Sequence, residues 1–369
     1  MKEFSGRLGL QQRVLPAYRA PFFDLMAEAS QGGMSVFAGG PRADEAIHTT
    51  EELRQAKYYP AHNRHILGGA FYLCKQTNIL DWLQWWDPDA LIVEANARYT
   101  STPGAVDWMR RRGRPVVGWG LGAPEMSGPL ARLREARRRK LLESLDAVVA
   151  YSSRGAEQYR GMGIPEERVF TAPNAVSPPP EGRPPARPDE YDGAPVVLFV
   201  GRLQGRKRLD NLLRACAGLP EGLQPRLLIV GDGPEKQALE ALAQDVYPQA
   251  EFAGTQHGEA LEAYFRKADL FVLPGTGGLA IQEAMAQGLP VMVAEGDGTQ
   301  SDLVRRENGW LLPPGDLEAL MRMLGEALGD AGRLRKMGVE SYRIAQEEIN
   351  IASMVEIFVK VLQRLTRKD

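Results

Sequence analysis

Seven prolines fall within the stretch VSPPPEGRPPARPDEYDGAP, residues 176–195. Proline has no N–H for a helix or a central strand to use, and its ring fixes φ, so no regular element survives such a run. The flanking regions read differently. Before it, SVFAG, ALIVEAN, PVVGWG and DAVVAYS are short apolar strand patterns, interleaved with helical patterns around 22–29, 79–86, 106–112 and 130–144. After it, VVLFVG, RLLIVG, EFAG, LFVLP and VMVAE alternate with helices. Continuous apolar strands separated by helices mark parallel sheets covered on both faces. The 369 residues also exceed what one core commonly serves and suit two domains of about 150–200 residues. The expected fold class is α/β, two doubly wound Rossmann-like domains with ligands where strands end.

The segment PGTGGLAIQEAMAQGLPVMVAEGDGTQ, 274–300, carries the clearest chemistry. A strand, LFVLP, runs into a turn poor in side chains (Thr276, Gly277, Gly278), and a helix starts at Leu279 and ends where Gly288 offers a left-handed cap. Backbone N–H groups at that helix start suit a phosphate or sugar hydroxyls. Glu283, one turn inside, is placed to accept from ribose hydroxyls; a surface helix glutamate is the plainer alternative. Upstream, VVLFVGRLQGRKRLDNLLRA puts Gly201, Arg202 and Lys207 just past an apolar strand, and LLIVGDGPEKQAL repeats strand, glycine and helix. Arg202 and Lys207 are spaced to converge on one diphosphate, the arginine as a fork and the lysine as a point charge. A solvated basic turn is the alternative, since Arg206 and Arg208 flank Lys207. Asp232 in VGDGP reads better as an Asx-turn residue than as a catalytic group.

Together with FAGTQHGEALEAYFRKADLFVLPG and NGWLLPPGD, the order and spacing of these blocks resemble the nucleotide-binding half of retaining family-4 glycosyltransferases (glycosyl transferases group 1) of the GT-B fold. The resemblance covers roughly residues 195–328. It implies two Rossmann-like domains facing a central cleft and the boundaries 1–177 for an acceptor-binding domain, 178–194 for a proline-rich linker and 195–352 for a nucleotide-sugar-binding domain. The C-terminal helix, 353–369, would cross back to the first domain. It further implies sugar transfer with retention from a nucleotide diphosphate donor, a UDP-sugar rather than a GDP-sugar, to a hydroxyl of a saccharide or lipid-linked acceptor. In such chemistry Arg202 and Lys207 neutralise the leaving diphosphate, Glu283 matches the second glutamate of a pair and binds ribose, and no metal or other cofactor is required. Gln256 and His257 occupy the region facing the base. The first glutamate of the pair is replaced by Gly275, so either Gly277, Gly278 and Leu279 orient the sugar through backbone groups or donor choice differs. That loss, with the absence of a histidine common after a middle strand of the first domain, leaves a degenerate nucleotide-sugar-binding partner subunit as the rival reading. A Rossmann oxidoreductase ranks lower, because the first strand–helix turn lacks G-x-G-x-x-G.

The first half matches least. Where the family has a glycine-rich loop, this chain has VLPAYRAPFFDLMAE, with Tyr18 and Arg19 as candidate substrate contacts; an exposed arginine ahead of an inward-packed helix is the even alternative. Glu94 and Asn96 end ALIVEAN and are candidates for acceptor contact. His62 and His65 lack carboxylate companions and read as surface groups rather than a metal site. The basic run RLREARRRK, 132–140, reads as a solvated helix face, with docking to anionic lipid headgroups, and so peripheral membrane association, beside it. Lys and Arg number 45 against 47 Asp and Glu, so nothing favours a nucleic acid partner. Two distant cysteines, Cys74 and Cys216, fit reduced structural thiols. With no signal-peptide core and no apolar run near membrane length, a cytoplasmic location is expected.

Overall fold

A computed structural model describes residues 3–45 and 47–367. The chain divides into two compact units, Met1–Val176 with Ile351–Asp369, and Ser177–Asn350.

The first unit is built on β1 (Leu8–Val14), β2 (Met34–Gly39), β3 (Lys57–Pro60), a β4–β5 hairpin (Asn63–Ile66, Leu73–Gln76), β6 (Ala90–Glu94), β7 (Val116–Gly120), β8 (Ala147–Ala150) and β9 (Val169–Thr171). Seven of these form one sheet in the order β3-β2-β1-β6-β7-β8-β9, parallel at every junction. Helices α1 (Ala20–Glu28), α2 (Ile79–Trp86), α3 (Thr102–Arg110), α4 (Ala131–Glu143) and α5 (Ser153–Gly161) connect them. Strand order reverses between β1 and β6, which makes their carboxyl ends the natural ligand crevice. The central strands are buried on both faces, and Leu91, Val93, Val116 and Val148 join Trp82, Leu83 and Met109 in one core. β1 is unusual in carrying Gln11 and Gln12 inside, both buried. The Gln11 amide donates to Gln76 Oε1 at 2.5 Å and its oxygen accepts from Glu94 N at 3.1 Å, so a polar pair is tolerated where an apolar one is usual. The last helix, Ile351–Thr366, lays Phe358 against Phe22 of α1 and Trp119 of β7, with ring centroids 5.8 and 5.4 Å apart.

The second unit has a six-stranded parallel sheet. Its strands are β10 (Val196–Val200), β11 (Arg226–Val230), β12 (Glu251–Gly254), β13 (Leu270–Leu273), β14 (Val291–Ala294) and β15 (Gly309–Leu312), ordered β12-β11-β10-β13-β14-β15. Helices α6 (Leu209–Ala217), α7 (Lys236–Val246), α8 (Gly258–Lys267), α9 (Leu279–Ala286), α10 (Gln300–Leu303), α11 (Leu317–Leu328) and α12 (Ala331–Glu347) cover it. β13 and β14 are buried at every position, as a sheet sandwiched by helices requires. The proline-rich stretch packs on this unit. Arg187 donates to the carbonyls of Phe265, Ala268, Gln287 and Gly288 at 3.0–3.1 Å, closing the ends of α8 and α9, and Tyr191 and Tyr342 hydroxyls add bonds to Leu328 O and Glu181 O. A segment short of its own N–H donors is thus held by side chains, with a cation at two helix carboxyl ends.

Replacing Phe358 by Ala removes a fully buried ring from the first unit and is expected to cost about 3–5 kcal/mol. Urea unfolding checks this; a loss below about 1 kcal/mol would show that the last helix adds little to that core.

Candidate functional site

In the second unit strand order reverses between β10 and β13, and the loops after these two strands meet. Gly201 follows β10, then a short 3-10 turn, Gly205–Lys207. After β13, residues 274–278 lead into α9. Thr276 N donates to Arg206 O at 2.9 Å, so the two loops are joined backbone to backbone. Gly275 lies at the closest approach. A Cβ there would collide with Arg206 O and would stand 2.6 Å from Lys207 Cα, so the absence of a side chain is what lets the loops touch. A second pair of glycines closes the floor: a Cβ on Gly231 would meet the Gly201 carbonyl, and one on Gly233 the Leu203 backbone.

This docking fixes Lys207. Its ammonium lies where a Cβ of Gly277 would be, and Gly277 has φ 140°, which glycine alone adopts without strain. Burial, with Arg206 pressing the same way, lowers the Lys207 pKa to about 8. Gly278 caps α9 without a side-chain bond, and no acid sits in the first turn of that helix. A partly desolvated cation beside the positive end of a helix is an arrangement that favours a bound anion over water. Glu283, one turn along, is half-buried; burial raises its pKa, and His257 acts in the opposite direction, which places the two groups within electrostatic reach. Gln256 is turned back on its own strand, its amide donating to Ala253 O at 2.8 Å. Arg202 is exposed, and its side chain makes no hydrogen bond or ion pair among the described residues. The structure therefore brings together Gly201, Lys207, Thr276, Gly277, Gly278 and Leu279, sets Glu283 within electrostatic reach of His257, and leaves Arg202 exposed on the same loop.

Tyr18 and Arg19 belong to the other unit. Arg19 is buried, 6% exposed, with its guanidinium over the rings of Tyr18, Trp119 and Tyr151 and donating to Asn174 Oδ1 and Ala175 O. It ties the segment after β9 to the start of α1. Two further residues stand at these strand ends, Gln300, which the sequence did not mark, and Glu94, which it did. Gln300, at the start of α10, is buried, donates to Gly277 O at 3.2 Å and keeps its amide oxygen without a partner. Glu94 ends β6 at the other switch point; its carboxylate accepts from Arg13 N at 2.5 Å, and burial pushes its pKa up to about 7. Its place at a strand's carboxyl end was the signal for Glu94, whereas nothing local marks Gln300.

Two parallel Rossmann-like sheets in one chain, each with its polar groups at the carboxyl ends of reversed strands, define a protein of the GT-B class. Solved structures agree over the full length: sucrose-phosphate synthase from Thermosynechococcus elongatus has a TM-score of 0.68 at 19% identity, covering 97% of this chain and 98% of that one. HepE of Anabaena, in complex with UDP, has a TM-score of 0.69 at 17% identity, covering 99% and 100%. Residues 184–343 match the family of glycosyl transferases group 1, and residues 25–175 the glycosyl transferase 4-like domain. The chain belongs to the group 1, family-4-like glycosyltransferases, a retaining family that uses nucleotide sugars. Among curated relatives, the GDP-mannose-dependent alpha-mannosyltransferase of Mycobacterium tuberculosis is 38% identical over 130 residues, 34% of this chain and 32% of that protein. Across the relatives considered, the matched stretches span between 24% and 52% of those proteins' own length.

Gly275→Ala forces the two loops apart and is expected to destabilise the second unit by about 1–3 kcal/mol; Gly275→Glu, which places there the carboxylate that the sequence resemblance implies, is expected to do the same. Thermal unfolding with an unchanged midpoint for either variant would show that the loops yield without cost.

Proposed function

We propose that the chain transfers a sugar from a UDP-sugar to a hydroxyl of a saccharide or lipid-linked acceptor, with retention at the anomeric carbon, in cell-surface glycan synthesis. The observation that carries this reading is the Lys207 ammonium, held against Gly277 beside the uncapped start of α9. In this reading the diphosphate lies on Lys207, Arg202 and the N–H groups around Gly278 and Leu279, while Glu283 accepts from the ribose hydroxyls. The bond from the anomeric carbon to the diphosphate breaks and the acceptor oxygen bonds to that carbon on the same face. The acceptor proton passes to the departing diphosphate, so the enzyme supplies no nucleophile. Lys207 and Arg202 stabilise the charge that grows on the leaving group. Gly275 fits this scheme as a structural requirement of the loop junction, and the backbone of 277–279 takes over orientation of the sugar.

The acceptor belongs on the first unit, with Glu94 accepting from the reacting or a neighbouring hydroxyl. α4 carries six Arg or Lys against two Glu, with Leu130 and Leu133 exposed to 59% and 65%. A basic surface studded with leucine suits loose attachment to an anionic bilayer face. Nucleotide sugars are made in the cytoplasm, and we place the enzyme there, at the inner face of the membrane.

Calorimetric titration with UDP and GDP is the direct test, because the HepE structure holds UDP whereas the mannosyltransferase is named for GDP-mannose. UDP is expected to bind with one site, and Arg202→Ala and Lys207→Ala each to weaken it at least tenfold, about 1.4 kcal/mol. Glu283→Ala is expected to cost a similar factor; unchanged affinity would remove Glu283 from the site. Binding of UDP without turnover against any acceptor would favour the degenerate partner subunit instead.

The pH dependence follows from two groups. Lys207 is charged below pH 8 and neutral above it, and a bound diphosphate raises its pKa, so donor binding takes up protons and donor kcat/KM falls by up to tenfold per unit above about pH 8. Glu94 is protonated below about pH 7, so acceptor kcat/KM rises through that value, and Glu94→Gln removes this limb. Flat profiles in both arms would be incompatible with these roles.

A further inference from the structure

At the carboxyl ends of β6, β7 and β8 the first unit carries a half-open cavity of about 620 Å³, within the range usual for small-molecule sites, with Glu94 at the end of β6 in its lining. One wall is apolar, formed by Leu67 and Phe71 from the β4–β5 hairpin with Leu121 and Met126; Leu67, Phe71 and Leu121 are exposed to 70%, 46% and 38%. The opposite wall is cationic: Arg98 from the loop after β6, and Arg134, Arg137 and Arg138 from α4. The α4 positions are one helical turn apart, so they share a face, and Leu130 and Leu133 continue that face beyond the arginines. Among the described residues, Arg98, Arg137 and Arg138 form no ion pair, and the Arg138 side chain donates only to Pro124 O at 2.7 Å. Burial lowers the pKa of Arg138; Tyr159 and Glu135 act against that shift, and Arg134 and Arg98 add to it, so these groups lie within electrostatic reach of one another. Trp119 also lines the cavity, 1% exposed, with its indole nitrogen sealed from solvent.

Three arginines without an ion pair among the described residues, beside an apolar lining, call for one kind of occupant. We propose that the cavity binds an anionic amphiphile, a phosphate-bearing headgroup with a hydrocarbon tail, as the acceptor of the transfer. The phosphate oxygens lie on Arg98, Arg137 and Arg138, while the tail runs over Leu67, Phe71 and Leu121. This rests on the transferase reading and narrows its acceptor from any hydroxyl compound to a lipid phosphate. A neutral sugar leaves the arginines unmatched, and a free phosphosugar leaves the apolar wall in water.

The test uses the full chain and three soluble probes, with octyl phosphate below its micellar concentration, octanol and inorganic phosphate titrated by calorimetry. Octyl phosphate is expected to saturate one site per chain at least tenfold more tightly than either other probe. Arg98 and Arg137 are exposed, so the double variant R98Q/R137Q leaves the fold intact; it is expected to weaken octyl phosphate at least tenfold and leave UDP affinity unchanged. Equal binding of inorganic phosphate would mean that a free phosphosugar is the ligand and would overturn the amphiphile; equal binding of octanol would overturn the anion. Octyl phosphate affinity unaltered in R98Q/R137Q would overturn the site. UDP titration of the same samples keeps the two readings apart, since failure of octyl phosphate with intact UDP binding sinks only this inference.

Discussion

The second unit's site depends on a backbone hydrogen bond between two loops, Thr276 N to Arg206 O, and on the glycine beside it that permits the contact. Without that junction Lys207 would be one more solvated lysine in a basic turn. With it, the ammonium is pressed against Gly277 and loses part of its hydration, which is why its pKa falls. Desolvating a cation is costly for the fold on its own, and the cost is recovered when an anion arrives. In the proposed reading the site is thereby prepared for negative charge, and Gly275 is what permits the loop contact on which that preparation depends.

The first unit uses its switch point differently. There the protein supplies its own polar filling: Gln11 and Gln76 pair across the strand ends, Glu94 accepts from Arg13 N, and Arg19 is enclosed by three aromatic rings and bonded to Asn174 and Ala175 O. Arg19 thus works as a clamp on the chain after β9. The cavity opens at the same strand ends, with Glu94 in its lining and α4 at its side, a helix whose buried residues are Leu141 and Leu142.

Much of the fold was legible from apolar runs. SVFAG, ALIVEAN, PVVGWG and DAVVAYS are β2, β6, β7 and β8, and the helical patterns around 22–29, 79–86, 106–112 and 130–144 fall on α1 to α4. β1 was not legible, because QQR interrupts LGLQQRV with groups that rarely enter a central strand; only their pairing with Gln76 and Glu94, distant in sequence, explains them. The β4–β5 hairpin was equally hidden, because three of the four residues of Asn63–Ile66 are polar and the strand Leu73–Gln76 turns the polar Gln76 inward. In the site, glycine spacing pointed to the loop of 274–278, but the contact that makes Gly275 necessary spans about seventy residues and leaves no local trace. The same holds for the arginine wall: the basic run of 132–140 was plain as composition, whereas the cavity it faces exists only once β6 and β7 are laid beside it.

The prolines of 176–195 suggested a spacer, yet Arg187 within them reaches four carbonyls at the ends of α8 and α9. A fragment cut at Pro195, the first residue before β10, would therefore lose a cation that closes two helices and would bare the carbonyls it covers. Anyone wishing to isolate the second unit should start the chain at Ser177, because the stretch that reads as a spacer is one of the fastenings of that unit.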